Sequence, residues 1–240
     1  MSGMFYAVGV GPGDPELLTL KAVRSLQQAA VIYIPTSPLS RQSWLADVVQ
    51  SYAAENCIVH TVKFSLGINS QQRQDHWQQV AGVIIDEIKQ GKDVAFVTLG
   101  DPLLYSVSIY LLRALRQQWY EIPVTVIPGV SAYAHAAALT EFAVGEGDQS
   151  VTILPTVMDR DSLRAAIKKG GTLVLMKIGK RLAQILDLLV EFNLLEHAVF
   201  VARAGLPDQR IETDLTRLQE ADPSAGNLAI ILVDTSMEQS

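Results

Sequence analysis

Hydrophobic positions follow two alternating rhythms along this 240-residue chain. Short runs dense in Val, Ile, Phe and Leu alternate with longer stretches whose apolar residues recur every third or fourth place. In the first half, the short runs predict strands at Phe5–Val10, Val31–Ile34, Ile58–Val62, Val94–Leu99 and Val124–Ile127. The longer stretches predict helices over Pro15–Ala30, Ser43–Ala54, Gln71–Gln90 and Tyr105–Trp119. Leu17, Leu20 and the Val23–Leu26 pair fall at near-helical spacing. Asp14 suits the N-cap before them and Pro15 the first helical position. Strand–helix alternation of this kind predicts an α/β domain with a mostly parallel sheet.

The pattern pauses at "EFAVGEGDQ", Glu141–Gln149, which is glycine-rich and acidic and reads as a linker. Two domains are expected, 1–142 and 143–240, both α/β. The second half resumes with strands at Val151–Leu154, Thr172–Met176, Ala198–Val201 and Leu228–Val233. Helices are expected at Asp161–Lys169 and Arg181–Phe192, and an extra strand or hairpin at Arg210–Thr213.

Bulk composition changes the picture in a few places. With 49% hydrophobic and 18% charged residues, the chain reads as globular protein. A net charge of −6 argues against a general nucleic-acid binder. No stretch is long and apolar enough to span a membrane, and the N-terminus lacks a signal-peptide pattern. Cys57 is the single cysteine, so no internal disulfide forms, which fits a reducing compartment. These features together predict a cytoplasmic protein. His60, His76, His135 and His197 show no ligand spacing, so no protein-bound metal is expected.

The candidate chemistry lies in turns. "VGVGPGD" places Gly9, Gly11 and Gly13 close together, but not as a dinucleotide fingerprint. The third glycine comes one place early and Pro12 has no N–H to offer a phosphate. Asp14 would set its charge against a pyrophosphate. Two further turns, in "TLGDPLLYS" and "IPGVSA", also follow predicted strands. Ligands of open α/β sheets bind at that carboxyl edge. The three turns hold Asp14 and Asp101 and no Lys or Arg, which favours a cationic or neutral group such as a sulfonium cofactor.

"VGVGPGD" with "LLTLKA", "GDPLLYS" and "PGVSA" resembles the tetrapyrrole methylase family over nearly the whole chain. "AAVIYIPTS", "VTILPT", "LVLMKIGKRL" and "ARAGLPDQRI" are similar to its precorrin-2 C20-methyltransferase group, which includes the cobalt-factor II enzymes. The resemblance implies two α/β domains with S-adenosylmethionine in the cleft between them, and a homodimer. It implies methyl transfer to C20 of precorrin-2 or cobalt-factor II in cobalamin biosynthesis. Cobalt, where present, arrives with the substrate.

By the same resemblance, Pro12, Gly100, Asp101, Leu104, Ser131, Ala132, Met176 and Ala204 line the cofactor site, with Tyr105 and Ser106 as neighbours. Each has a plainer reading as a turn, packing or capping residue. Asp14, Asp101 and Tyr105 are the candidates for proton removal. A polycarboxylate macrocycle needs local positive charge, and Arg41, Lys63, Lys177 and Arg203 are the candidates to bind it. The alternatives are a tetrapyrrole methylase acting at another ring carbon and a non-catalytic nucleotide-binding module.

Overall fold

The structure, a computed structural model, describes residues 2–36, 43–64, 69–155, 159–218 and 223–236. The chain divides into two compact units, Met1–Ser131 and Ala132–Ser240. This division falls earlier than the 142/143 boundary expected from composition. The reason is the helix Ala132–Thr140, which the periodicity did not single out. Its Ala132, Tyr133, Ala136, Ala137 and Leu139 pack with Val174, Val201, Ile230 and Leu232 of the second unit.

In the first unit, β1 (Phe5–Gly9), β2 (Val31–Thr36), β3 (Ile58–Lys63), β4 (Val94–Thr98) and β5 (Val124–Ile127) form one parallel sheet in the order β3-β2-β4-β1-β5. Helices α1 (Leu20–Gln28) and α2 (Ser43–Tyr52) supply residues to the cluster on one face. Ala22, Leu26, Val48 and Val49 meet Val8, Ile32, Ala95 and Val97 there. Helices α3 (Ser70–Lys89) and α4 (Ser108–Gln118) cover the other face. Trp77, Ile84, Ile88, Leu111 and Leu115 pack on Phe5, Val31, Val94 and Phe96. Each fully buried large side chain contributes about 1.5–3 kcal/mol.

Two helix starts differ from the periodic expectation, and local polar groups explain both. The stretch from Pro15 is broken. Asp14 Oδ1 accepts from Glu16 N at 2.9 Å and caps a 3-10 turn, Pro15–Leu17. Thr19 Oγ1 then accepts from Ala22 N at 3.1 Å and starts α1 separately. The helix expected from Tyr105 begins at Ser108. Tyr105 is left-handed (φ 51°), and Ser106 Oγ accepts from Ser108 N at 3.2 Å.

The second unit holds α5 (Ala132–Thr140), β6 (Val151–Pro155), α6 (Arg160–Lys169), β7 (Thr172–Met176), α7 (Leu182–Glu191), β8 (Ala198–Ala202), β9 (Arg210–Glu212) and β10 (Ala229–Asp234). Its sheet runs β6-β7-β10-β8-β9. Unlike the first, it is mixed: β6 and β7 are parallel, while β10 is antiparallel to β7 and β8. Alternation along β10 sorts the two faces. Ala229, Ile231 and Val233 join the cluster holding α6 and α7 residues, and Ile230 and Leu232 join the one holding α5.

Candidate functional site

Strands β4, β1 and β5 lie side by side and parallel, so the turns that leave them share one edge. After β1 the chain moves toward β2; after β4 it crosses β1 to reach β5. Strand order therefore reverses at this edge, where α/β sheets bind ligands.

The three turns touch through their backbones. Gly100 N donates to Gly11 O at 2.7 Å, and the two residues form an antiparallel bridge. A Cβ on Gly9 would stand 2.6 Å from both Gly100 O and Gly129 N. One on Gly129 would stand 2.2 Å from Gly100 O. Only glycine permits that approach. Asp101 staples the turns: Oδ1 accepts from Leu103 N at 2.8 Å and Oδ2 from Gly129 N at 3.2 Å. Ser106 Oγ lies 3.0 Å from Ser108 Oγ, and the buried Ser108 hydroxyl donates to Pro102 O. Pro12 and Gly100 are buried, Leu104 is half-buried and Tyr105 is exposed. At the foot of the second turn, Thr98 is only 3% exposed and its buried hydroxyl has no hydrogen-bond partner.

This is a backbone floor with two carboxylates, an orphan hydroxyl and no cationic side chain. Residues 4–221 match the family described as tetrapyrrole (corrin/porphyrin) methylases. The chain belongs to that family. This methylase is 31% identical over 224 residues to a cobalt-precorrin-2 C(20)-methyltransferase of Salmonella typhimurium, covering 93% of both chains. It is 30% identical over 239 residues to a precorrin-2 C(20)-methyltransferase of a Sinorhizobium species, covering 96% of this chain and 95% of the other. Its fold matches the X-ray structure of a cobalt precorrin-4 methyltransferase with a TM-score of 0.74 at 23% identity, over 98% of this chain and 95% of that one. Within the family, the donor set of the methylase's three turns fits S-adenosylmethionine. Carboxylates and a free hydroxyl suit a sulfonium with ribose hydroxyls and an amino group, and the glycines keep side chains out of the way.

The remaining expected residues of the methylase fall as follows. Ser131 ends the first unit and Ala132 opens α5. In the second unit, Met176 ends β7 and the buried Ala204 follows β8. Lys177 is exposed as a residue, yet desolvation lowers the pKa of its ammonium below the ordinary lysine value. Arg203 pairs with Asp208 at 3.1 Å. Lys63 sits exposed at the end of β3, opposite Thr36. Arg41 lies outside the described residues. Among the described residues, no helix is long and apolar enough to cross a membrane.

Two contributors escaped the reading of the sequence. Gly129 holds the second carboxylate oxygen of Asp101; its Pro-Gly pair after a predicted strand was the available signal. Asp208 holds Arg203, and nothing in the local pattern distinguishes it from a surface carboxylate.

Proposed function

We propose that this methylase transfers a methyl group from S-adenosylmethionine to C20 of precorrin-2 or its cobalt-bearing counterpart, in cobalamin biosynthesis. The observation that carries the reading is end-to-end similarity, 31% identity over 93% of both chains, to a C(20)-methyltransferase. S-adenosylmethionine supplies a methyl group on a positively charged sulfur, open to in-line attack by an electron-rich meso carbon.

The chain's own contribution is alignment. Holding two reactants in attack geometry supplies about 7–11 kcal/mol of a barrier. The stapled turns of the first unit suit that task, because Asp101 and the glycine contacts fix them against one another. Asp14 and Asp101 favour a cationic donor in the ground state, so their part is binding rather than acceleration. Asp101 also has lone pairs left for donor hydroxyls after its two backbone contacts. Its engagement with Leu103 N and Gly129 N supports a positioning role over that of a general base. In this reading Pro12, Gly100, Leu104, Tyr105, Ser106, Ser131, Ala132, Met176 and Ala204 complete the donor site. Arg41, Lys63 and Lys177 meet substrate carboxylates. The family resemblance supports a cytoplasmic homodimer.

The test is a turnover assay read by mass spectrometry. Purified protein meets methyl-labelled S-adenosylmethionine with precorrin-2 and, separately, with cobalt-factor II. Label at C20 of one substrate supports the reading and names the branch. Label at another ring carbon moves the chain elsewhere in the family. Donor binding without transfer to either substrate overturns the C20 assignment.

A further inference from the structure

One edge of the second sheet concentrates left-handed backbone on residues that are not glycine. Strands β7 and β8 leave the sheet there and β10 enters it, since β10 runs antiparallel to both. The residues at those three points are Lys177 (φ 59°), Arg203 (φ 52°) and Leu228 (φ 51°). An L-residue avoids this region because its Cβ crowds the following carbonyl. Strain of this kind persists only where the surroundings over-determine it, and it gathers at functional sites.

Arg203 is the most firmly held of the three. Its N–H donates to Leu228 O at 2.9 Å, and its carbonyl accepts from Leu206 N at 2.9 Å. The turn continues with Gln209 N donating to Leu206 O at 2.9 Å and Gly205 N to Gln209 Oε1 at 2.7 Å. The guanidinium then folds back over the same turn. Its Nε donates to Asp208 O at 3.0 Å and meets Asp208 Oδ2 at 3.1 Å. Backbone and side chain of one residue thus close the turn from both ends, with the buried Ala204 inside it.

Charge at this edge points the same way. Register places Arg210 opposite Ala202, beside Arg203. Arg210 is committed to Glu212 at 2.9 Å and Arg203 to Asp208. Lys177 has no ion pair among the described residues.

We propose that Arg203 is a positioning residue, whose guanidinium, closed on Asp208, fixes the Ala204 turn for the methyl donor instead of binding a substrate carboxylate. Carboxylate recognition at this edge then falls to Lys177. The inference rests on the methylase reading of Ala204 as a donor contact.

Four full-length variants test it: Arg203→Asn, Asp208→Ala, the double variant and Arg203→Lys. Asparagine tolerates the left-handed region, so Arg203→Asn removes the guanidinium contacts to Asp208 without adding strain. S-adenosylhomocysteine affinity is measured by calorimetry without tetrapyrrole, and KM is measured for both substrates. Arg203→Asn should weaken S-adenosylhomocysteine binding about tenfold and leave the tetrapyrrole KM unchanged. Asp208→Ala should act in the same direction by about threefold, because the residue 208 carbonyl still accepts, and the double variant should be no worse than Arg203→Asn. Arg203→Lys should recover part of the loss. A raised tetrapyrrole KM with intact donor affinity in Arg203→Asn would overturn the proposal in favour of direct substrate contact. A fall in Tm with both constants unchanged would reduce Arg203 to a structural residue. Wild-type protein that binds S-adenosylhomocysteine but methylates no tetrapyrrole at C20 refutes the C20 reading and leaves the clamp to be judged by the affinities. Wild-type protein that does not bind it sinks both.

Discussion

The two units differ in the residues that shape the turns at their strand ends. In the first, glycine stands wherever backbones meet: Gly9, Gly100 and Gly129 converge with no room for a Cβ on the first or last. In the second, the left-handed positions at one sheet edge are held by Lys177, Arg203 and Leu228. A glycine turn offers only backbone, and lets another group come close. A left-handed lysine or arginine offers a directed side chain and costs about 1–2 kcal/mol of backbone strain. The contrast is one of emphasis: Tyr105 of the first unit is left-handed too, and a Cβ on Gly226 of the second would stand 2.0 Å from Gly179 O, but among the described residues only the second unit places charged left-handed residues at strand ends.

The sharpest way to break this contrast is Gly129→Ala. Its Cβ would meet the Gly100 carbonyl at 2.2 Å and Gly9 C at 2.8 Å, and neither is a flexible side-chain end. A loss of about 3 kcal/mol or more in stability, measured by denaturant unfolding, is expected together with loss of turnover. If Gly129→Ala folds and works normally, the turns do not touch as described. Asp101→Asn comes next. An amide presents one acceptor oxygen where the carboxylate presents two, so one of the two backbone N–H bonds is lost. The expected destabilisation is about 1–2 kcal/mol, with a raised KM for the methyl donor.

Lys177→Gly sharpens the other side of the contrast, because it should move stability and activity in opposite directions. Relief of the left-handed strain, less the added freedom of the unfolded chain, should stabilise by about 0.5–1 kcal/mol. The tetrapyrrole KM should rise at the same time. A variant that is less stable with an unchanged KM would show that the strain serves no binding role. The pH profile gives an independent check. Desolvation lowers the Lys177 pKa, so its charge is lost at lower pH than that of an ordinary lysine. The wild-type tetrapyrrole KM should therefore climb early on the alkaline side, and Lys177→Arg, charged throughout, should flatten that climb. The smallest effect is expected from Asp14→Ala. It removes one exposed cap to Glu16 N and should cost about 0.5–1 kcal/mol, read as a small shift in Tm, with a modest rise in the KM for the methyl donor.

The same contrast explains what was legible in the sequence. Strand positions were close throughout, because strands write short dense runs of Val, Ile and Leu; Val124–Ile127 and Thr172–Met176 coincide with β5 and β7. The glycine turns were legible because glycine and proline punctuate a sequence visibly. Helix α5 was not, since its Ala-rich run lacks a polar face and carries no amphipathic rhythm. The boundary expected at 142/143 differs from the division of the chain for the same reason: the acidic "EFAVGEGDQ" reads as a linker, while α5 before it packs within the second unit. The Arg203 clamp left no trace, because a left-handed arginine and its carboxylate partner look like any other charged loop residues. Side-chain grip depends on tertiary placement, whereas backbone approach leaves a compositional mark.

Strand β10 is the last strand among the described residues and also the middle one of its sheet, between β7 and β8. The first sheet has all five strands once Ile127 is made. The second cannot join its halves until Asp234 has been synthesised. On the ribosome, the first unit is free to fold while β6, β7 and β8 wait with open edges and exposed apolar faces. The glycine-turned unit therefore has a head start in time, and the unit with the strained edge is the one a chaperone would meet.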